Sequence, residues 1–112
     1  MKEIKAFLRA ERAGEVLDAL GTAGIPNATL THVLAVGPNI DRDGGRVSLE
    51  FGRKVNRMVK LELLCPDRDE ARLVEMIRAA ACTGEPGDGV VSVTNVNRLV
   101  KIRNAVESTE AL

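Results

Sequence analysis

The segment best able to do chemistry is Thr83-Gly84-Glu85-Pro86-Gly87-Asp88-Gly89-Val90, with three glycines and a proline in eight residues. Glycine adopts backbone angles closed to other residues, so the loop can turn tightly and aim several N–H groups at one point. Convergent N–H groups hold phosphate or another anion without any catalytic side chain. Arg98, Lys101 and Arg103 follow closely and supply cations. A plain helix-to-strand turn, with Gly84 as the helix stop, explains the same composition. The loop is not of the Walker kind, because it follows a helix and so meets the negative end of the helix dipole. Phosphate held there depends on loop N–H groups and imported cations. Lys101 and Arg103 stand two apart on a predicted strand and so share one face. They read either as a cationic ledge suited to a di- or triphosphate, or as two solvated charges on an edge strand.

Other reactive groups are sparse, and no catalytic or metal-binding residue is assigned. His32 is the only histidine, so no histidine cluster can hold zinc, and it reads as a partly exposed strand residue. Cys65 and Cys82 lie in apolar segments and read as two buried thiols of a reduced cytosol. Ser48, Ser92 and Ser108 stand in no nucleophile motif. Lysine plus arginine equals aspartate plus glutamate at 16 each, so no net field draws the chain to nucleic acid. Phe7 and Phe51 are the only aromatic residues, too few for a base-stacking platform. No apolar run approaches the roughly 20 residues a bilayer requires, and Met1–Lys5 alternates charge where a signal peptide would turn apolar. One cytoplasmic domain over residues 1–112, not inserted in a membrane, is expected.

The elements that position the loop follow from hydrophobic periodicity. Ile4, Ala6 and Leu8 alternate with Lys5, Phe7 and Arg9, predicting a strand over Glu3–Arg9. Val16, Leu17, Leu20 and Ala23 then fall at helical spacing within Glu11–Ala23, and Gly24 ends that helix. Ala28–Val36, rich in Thr, Val and Leu, predicts a second strand. Residues 37–56 form a long glycine-rich, charged connection, of a length that in compact domains is usually functional or disordered. A third strand runs from Arg57 through Val59, Leu61 and Leu63 to Cys65. Asp67 or Asp69 is placed to cap a second helix, whose buried stripe is Leu73, Val74, Ile77, Ala80 and Ala81. Val90–Val93 and Arg98–Arg103 read as strands, and residues 104–112 as a loosely held tail. Two strand-helix-strand halves predict an α+β, ferredoxin-like double βαβ sandwich: an antiparallel sheet with both helices on one face. The other face carries Phe7 and Leu64, and self-association would cover it.

Over nearly its whole length the chain resembles the PII signalling family. The resemblance is carried by Met1-Lys2-x-Ile4, Ala19-Leu20, Gly24-Ile25, Thr29-x-Thr31, Gly37, Val59-Lys60-x-Glu62, Thr83-Gly84-x-x-Gly87-Asp88-Gly89 and Ile102-Arg103. It implies a homotrimer with adenine nucleotide sites in the clefts between subunits, and no enzymatic activity. It makes residues 37–57 a T-loop that docks on a transporter or enzyme, and residues 83–90 a B-loop that wraps phosphates. Gly84, Gly87, Asp88 and Gly89 would cradle phosphate through the backbone. Phe7, Thr29 and Leu64 would surround adenine, and Lys101 and Arg103 would reach phosphate across a subunit boundary. Gly37 and Pro38 would border the nucleotide. Asn39, Arg46, Ser48, Phe51 and Arg53 would meet effectors or partners.

Departures from the family pattern sharpen the expectation. Val90 stands where the family usually has a phosphate-pairing lysine, and Pro38 where it has an arginine. Asn39 replaces a longer glutamine, which weakens the case for magnesium and 2-oxoglutarate. Met58 replaces a further frequent lysine. Phe51 occupies the place of a uridylylated tyrosine, and with no tyrosine in the chain that modification is excluded. The expected ligand is therefore ADP or AMP, ahead of ATP with 2-oxoglutarate, in a setting of bicarbonate or metal transport. A conventional nitrogen-regulatory PII, and a ferredoxin-like trimer that binds a metal or small anion without nucleotide, are the alternatives.

Overall fold

A computed structural model describes residues 1–25, 27–36, 46–48 and 53–107, with the backbone alone given for 46–48 and 53–55. The chain runs β1 (Lys2–Arg9), a 3-10 turn (Ala10–Arg12), α1 (Ala13–Thr22), β2 (Thr29–Val36), β3 (Arg46–Ser48) and β4 (Arg53–Cys65). A second 3-10 turn (Asp67–Asp69), α2 (Glu70–Ala81) and β5 (Gly89–Asn95) follow. The main strands lie in the order β2-β4-β1-β5, and the β1–β4, β1–β5 and β2–β4 pairs are all antiparallel. This is the α+β ferredoxin-like sandwich, with the first and third long strands central.

Strand alternation divides the sheet into two faces. Ile4, Ala6 and Leu8 of β1 pair with Leu63, Leu61 and Val59 of β4, and all are buried. Val16 and Leu20 of α1 and Leu73 and Ile77 of α2 close over them to complete the core. Full burial of each large aliphatic side chain is worth about 1.5–3 kcal/mol, so this layer dominates the fold's stability. On the opposite face Phe7 lies between Lys60 and Val90.

The helix ends are set by glycine and arginine. Gly24 takes a positive φ of 80°, while its N–H bonds Gly21 O and that of Ile25 bonds Leu20 O, which terminates α1 as the sequence predicts. Arg12 donates from Nε and Nη2 to Ala80 O at 3.1 and 2.7 Å, bringing a cation to the C-terminal end of α2. The predicted aspartate cap of α2 is absent: neither 3-10 turn nor helix has a side-chain cap bond. Asp67 instead accepts from the N-terminal ammonium, and Asp69 from Arg72.

Three other expectations are corrected. β4 begins at Arg53, not Arg57, and β3 pairs with it inside the span read as one connection. Arg98–Arg103 is no strand, because residues 102–104 form a turn and only Val100 makes an isolated bridge, to Glu107. Lys101 N–H to Val106 O and Ala105 N–H to Lys101 O close this turn, with Ala105 at a positive φ of 59°. The ledge of Lys101 and Arg103 along a strand therefore does not exist. Finally, Cys65 is buried but Cys82 is exposed.

Candidate functional site

Gly84, Gly87 and Gly89 all take positive φ, at 87°, 96° and 105°, so the loop has the left-handed turns that its composition predicts. Its shape is fixed by Asp88. One carboxylate oxygen accepts the N–H of Thr83 at 2.8 Å and that of Gly84 at 2.9 Å. The other accepts the Thr83 hydroxyl and Nε of Arg9, the latter at 2.8 Å. Arg9 also donates from Nη2 to Pro86 O at 2.8 Å, and its side chain is only 8 % exposed. Thr83 Oγ1 in turn accepts the Glu85 N–H at 3.2 Å. Partial burial opposes ionisation of Asp88, but the hydrogen bonds from Thr83, Arg9 and Gly84 outweigh it and hold the carboxyl well below the usual range.

The chain's own carboxylate thus takes the Gly84 N–H, leaving Gly87 and Gly89 among the loop glycines free of Asp88. Gly89 is required by close packing as well. A Cβ there would lie 1.7 Å from the Phe7 carbonyl oxygen, since β5 starts hard against β1.

Below the loop lies a cleft of about 650 Å³ lined by Phe7, Met58, residues 33–36, Glu85 and residues 87–90. Phe7, Gly87, Asp88, Gly89 and Val90 of the predicted site therefore meet in one place. Among the described residues its walls are mainly apolar, Glu85 and Asp88 are the charged residues of the lining, and no lysine or arginine lines it. Thr29 and Leu64 line a separate cavity of about 500 Å³ with Glu3, Asn27 and Glu62. Lys101 and Arg103 lie outside both, in the C-terminal turn. Gly37, Pro38, Asn39 and Phe51 lie outside the described residues, and Arg46, Ser48 and Arg53 are described by backbone alone.

Sequence reasoning missed Arg9 and Glu85. Arg9 shows only as the outward member of an alternating strand, and Glu85 only as an unassigned place between glycines. The one available signal was the pattern of Asp88 among donors, since a carboxylate inside a glycine loop needs partners. Among the described residues, no group of three or more His, Cys, Asp or Glu side chains could hold a metal ion. No helix among them is long and apolar enough to cross a membrane.

A ferredoxin-like sandwich with a glycine-loop cleft on its helix-free face defines a small α+β domain with a candidate ligand site. Residues 1–106 match the family described as Nitrogen regulatory protein P-II. The chain is 34 % identical to the Nitrogen regulatory protein P-II of Microchaete diplosiphon and 33 % identical to that of Nostoc punctiforme, with both proteins covered in full. It is 31 % identical to Nitrogen regulatory protein P-II 2 of Methanothermobacter thermautotrophicus, over all of this chain and 97 % of that one. The chain belongs to the P-II family of nitrogen regulatory proteins.

Proposed function

We propose that this P-II family member senses adenine nucleotides, ADP or AMP ahead of ATP with 2-oxoglutarate, and relays occupancy to a transporter or enzyme through residues 37–57. The carrying observation is the cleft itself: an aromatic ring and apolar walls beside two loop glycines, with no cation among the described lining residues. Phe7 offers a stacking surface for a base. Gly87 and Gly89 offer N–H groups for a first phosphate. Lys101 and Arg103 would reach the ligand from a neighbouring copy in a homotrimer.

Outer phosphates are held less well. Each charge-assisted hydrogen bond is worth about 1.5–3 kcal/mol, so the replacement of a lysine by Val90 and of an arginine by Pro38 falls mainly on the β- and γ-phosphates. Ligand-dependent contacts can select one arrangement of the docking segment, which makes nucleotide identity a signal. Titration calorimetry with AMP, ADP, ATP and cyclic AMP is the test, with binding that does not tighten from AMP to ATP as the expected result. Absence of heat with all four would overturn the adenine reading.

A conventional nitrogen-regulatory role is the second reading, favoured by the names of the relatives, all of them nitrogen regulatory proteins. Tight, mutually dependent binding of ATP, magnesium and 2-oxoglutarate would establish that reading in place of the first.

A further inference from the structure

Among the described residues two carboxylates line the glycine-loop cleft, and they differ in what balances them. Asp88 is matched by the Arg9 guanidinium and by Thr83 and Gly84 donors. Glu85 is exposed, and among the described residues no cation pairs with it. Its place is fixed on both sides, because its own N–H is held by Thr83 Oγ1 and the adjoining Pro86 carbonyl by buried Arg9. The main chain at Glu85 is therefore held at the rim of the cleft, and its carboxylate moves only within the reach of its own side chain. Beside it, Val90 is 65 % exposed and contributes no compensating charge.

We propose that Glu85 is a specificity-determining residue that makes the cleft select against each added phosphate. The proposal rests on the reading of this cleft as a nucleotide site. An unpaired carboxylate at the rim repels an anion through water and the low-dielectric cleft wall, and the repulsion grows with the ligand's charge while a neutral nucleoside does not feel it. Glu85 is thus a filter for phosphate number, separate from the loop N–H groups that hold the first phosphate.

The test is calorimetric titration of the wild-type protein, Glu85→Gln and Glu85→Lys with adenosine, AMP, ADP and ATP, free of divalent cations. Glu85→Gln should leave adenosine affinity unchanged and improve the others by roughly threefold per added phosphate. Glu85→Lys should steepen that trend, and 1 M salt should flatten it, because the Debye length there is about 3 Å. Circular dichroism confirms that both variants fold. An equal change for adenosine and ATP, or no change for any, would overturn the role of Glu85 while leaving the nucleotide site standing. Absence of binding by every ligand to every variant would overturn both.

Discussion

At the scale of single residues, the Arg9–Asp88 pair ties the glycine loop to the first strand. The folded-state pKa of Asp88 lies below its unfolded value, near 3.9 for aspartate. Its stabilisation is therefore complete above that value and is lost as pH falls through the folded pKa. Urea midpoints of the wild type should fall below about pH 4, and Asp88→Asn should flatten that fall while lowering stability at neutral pH. An acid limb of unchanged slope would remove Asp88 from the account. Arg9→Ala should cost about 2 kcal/mol in urea unfolding by leaving that carboxylate and the Pro86 carbonyl short of donors. Arg9→Lys should fall between, because a point charge cannot span both acceptors as a guanidinium does. None of this was legible beforehand. Arg9 and Asp88 are 79 residues apart, and a strand's outward arginine looks like any solvated charge until the sheet brings a loop over it.

At the scale of elements, β1 and β5 meet so closely that their junction admits no side chain. Gly89→Val should unpair the start of β5, cost upward of about 3 kcal/mol and abolish hydrogen-exchange protection along Gly89–Asn95. Gly84→Ala is the control: its Cβ would meet nothing within 4 Å, so only the positive φ is penalised, at about 1–2 kcal/mol. A Gly89 variant no worse than Gly84→Ala would show that the junction can relax. Periodicity revealed β1, α1, β4 and α2 because each has a buried face, Ile4-Ala6-Leu8 and Leu61-Leu63-Cys65 above all, whereas β2 and β5 bury no residue fully and showed through their β-branched content. It failed at the start of β4, where Arg53, Lys54 and Asn56 offer no apolar alternation even though backbone pairing continues. It also failed in the opposite sense at Arg98–Arg103. There Val100 and Ile102 alternate correctly, but alternation makes a strand only when a ladder partner exists, and just one bridge forms.

At the scale of the whole molecule, one chain does not bring all its expected ligand contacts together. Thr29 and Leu64 line a different cavity from Phe7, and Arg103 lines neither. Ile102, beside Arg103 in the C-terminal turn, is fully exposed. Sedimentation should find the three-chain assembly that membership of the P-II family implies. Arg103→Ala should leave that assembly intact while weakening nucleotide binding about tenfold, the loss of one charge-assisted contact; full affinity would exclude Arg103 from the site. The Arg9 clamp also orders events in time. Because it joins a residue of the first strand to one just before the last, the closing of that wide loop is among the slower acts of folding. A nascent chain that has made β1, both helices and β4 holds most of its core but no cleft. The cleft is complete only when the final strand docks, so under the proposed reading nucleotide capture would certify that the entire domain has been built.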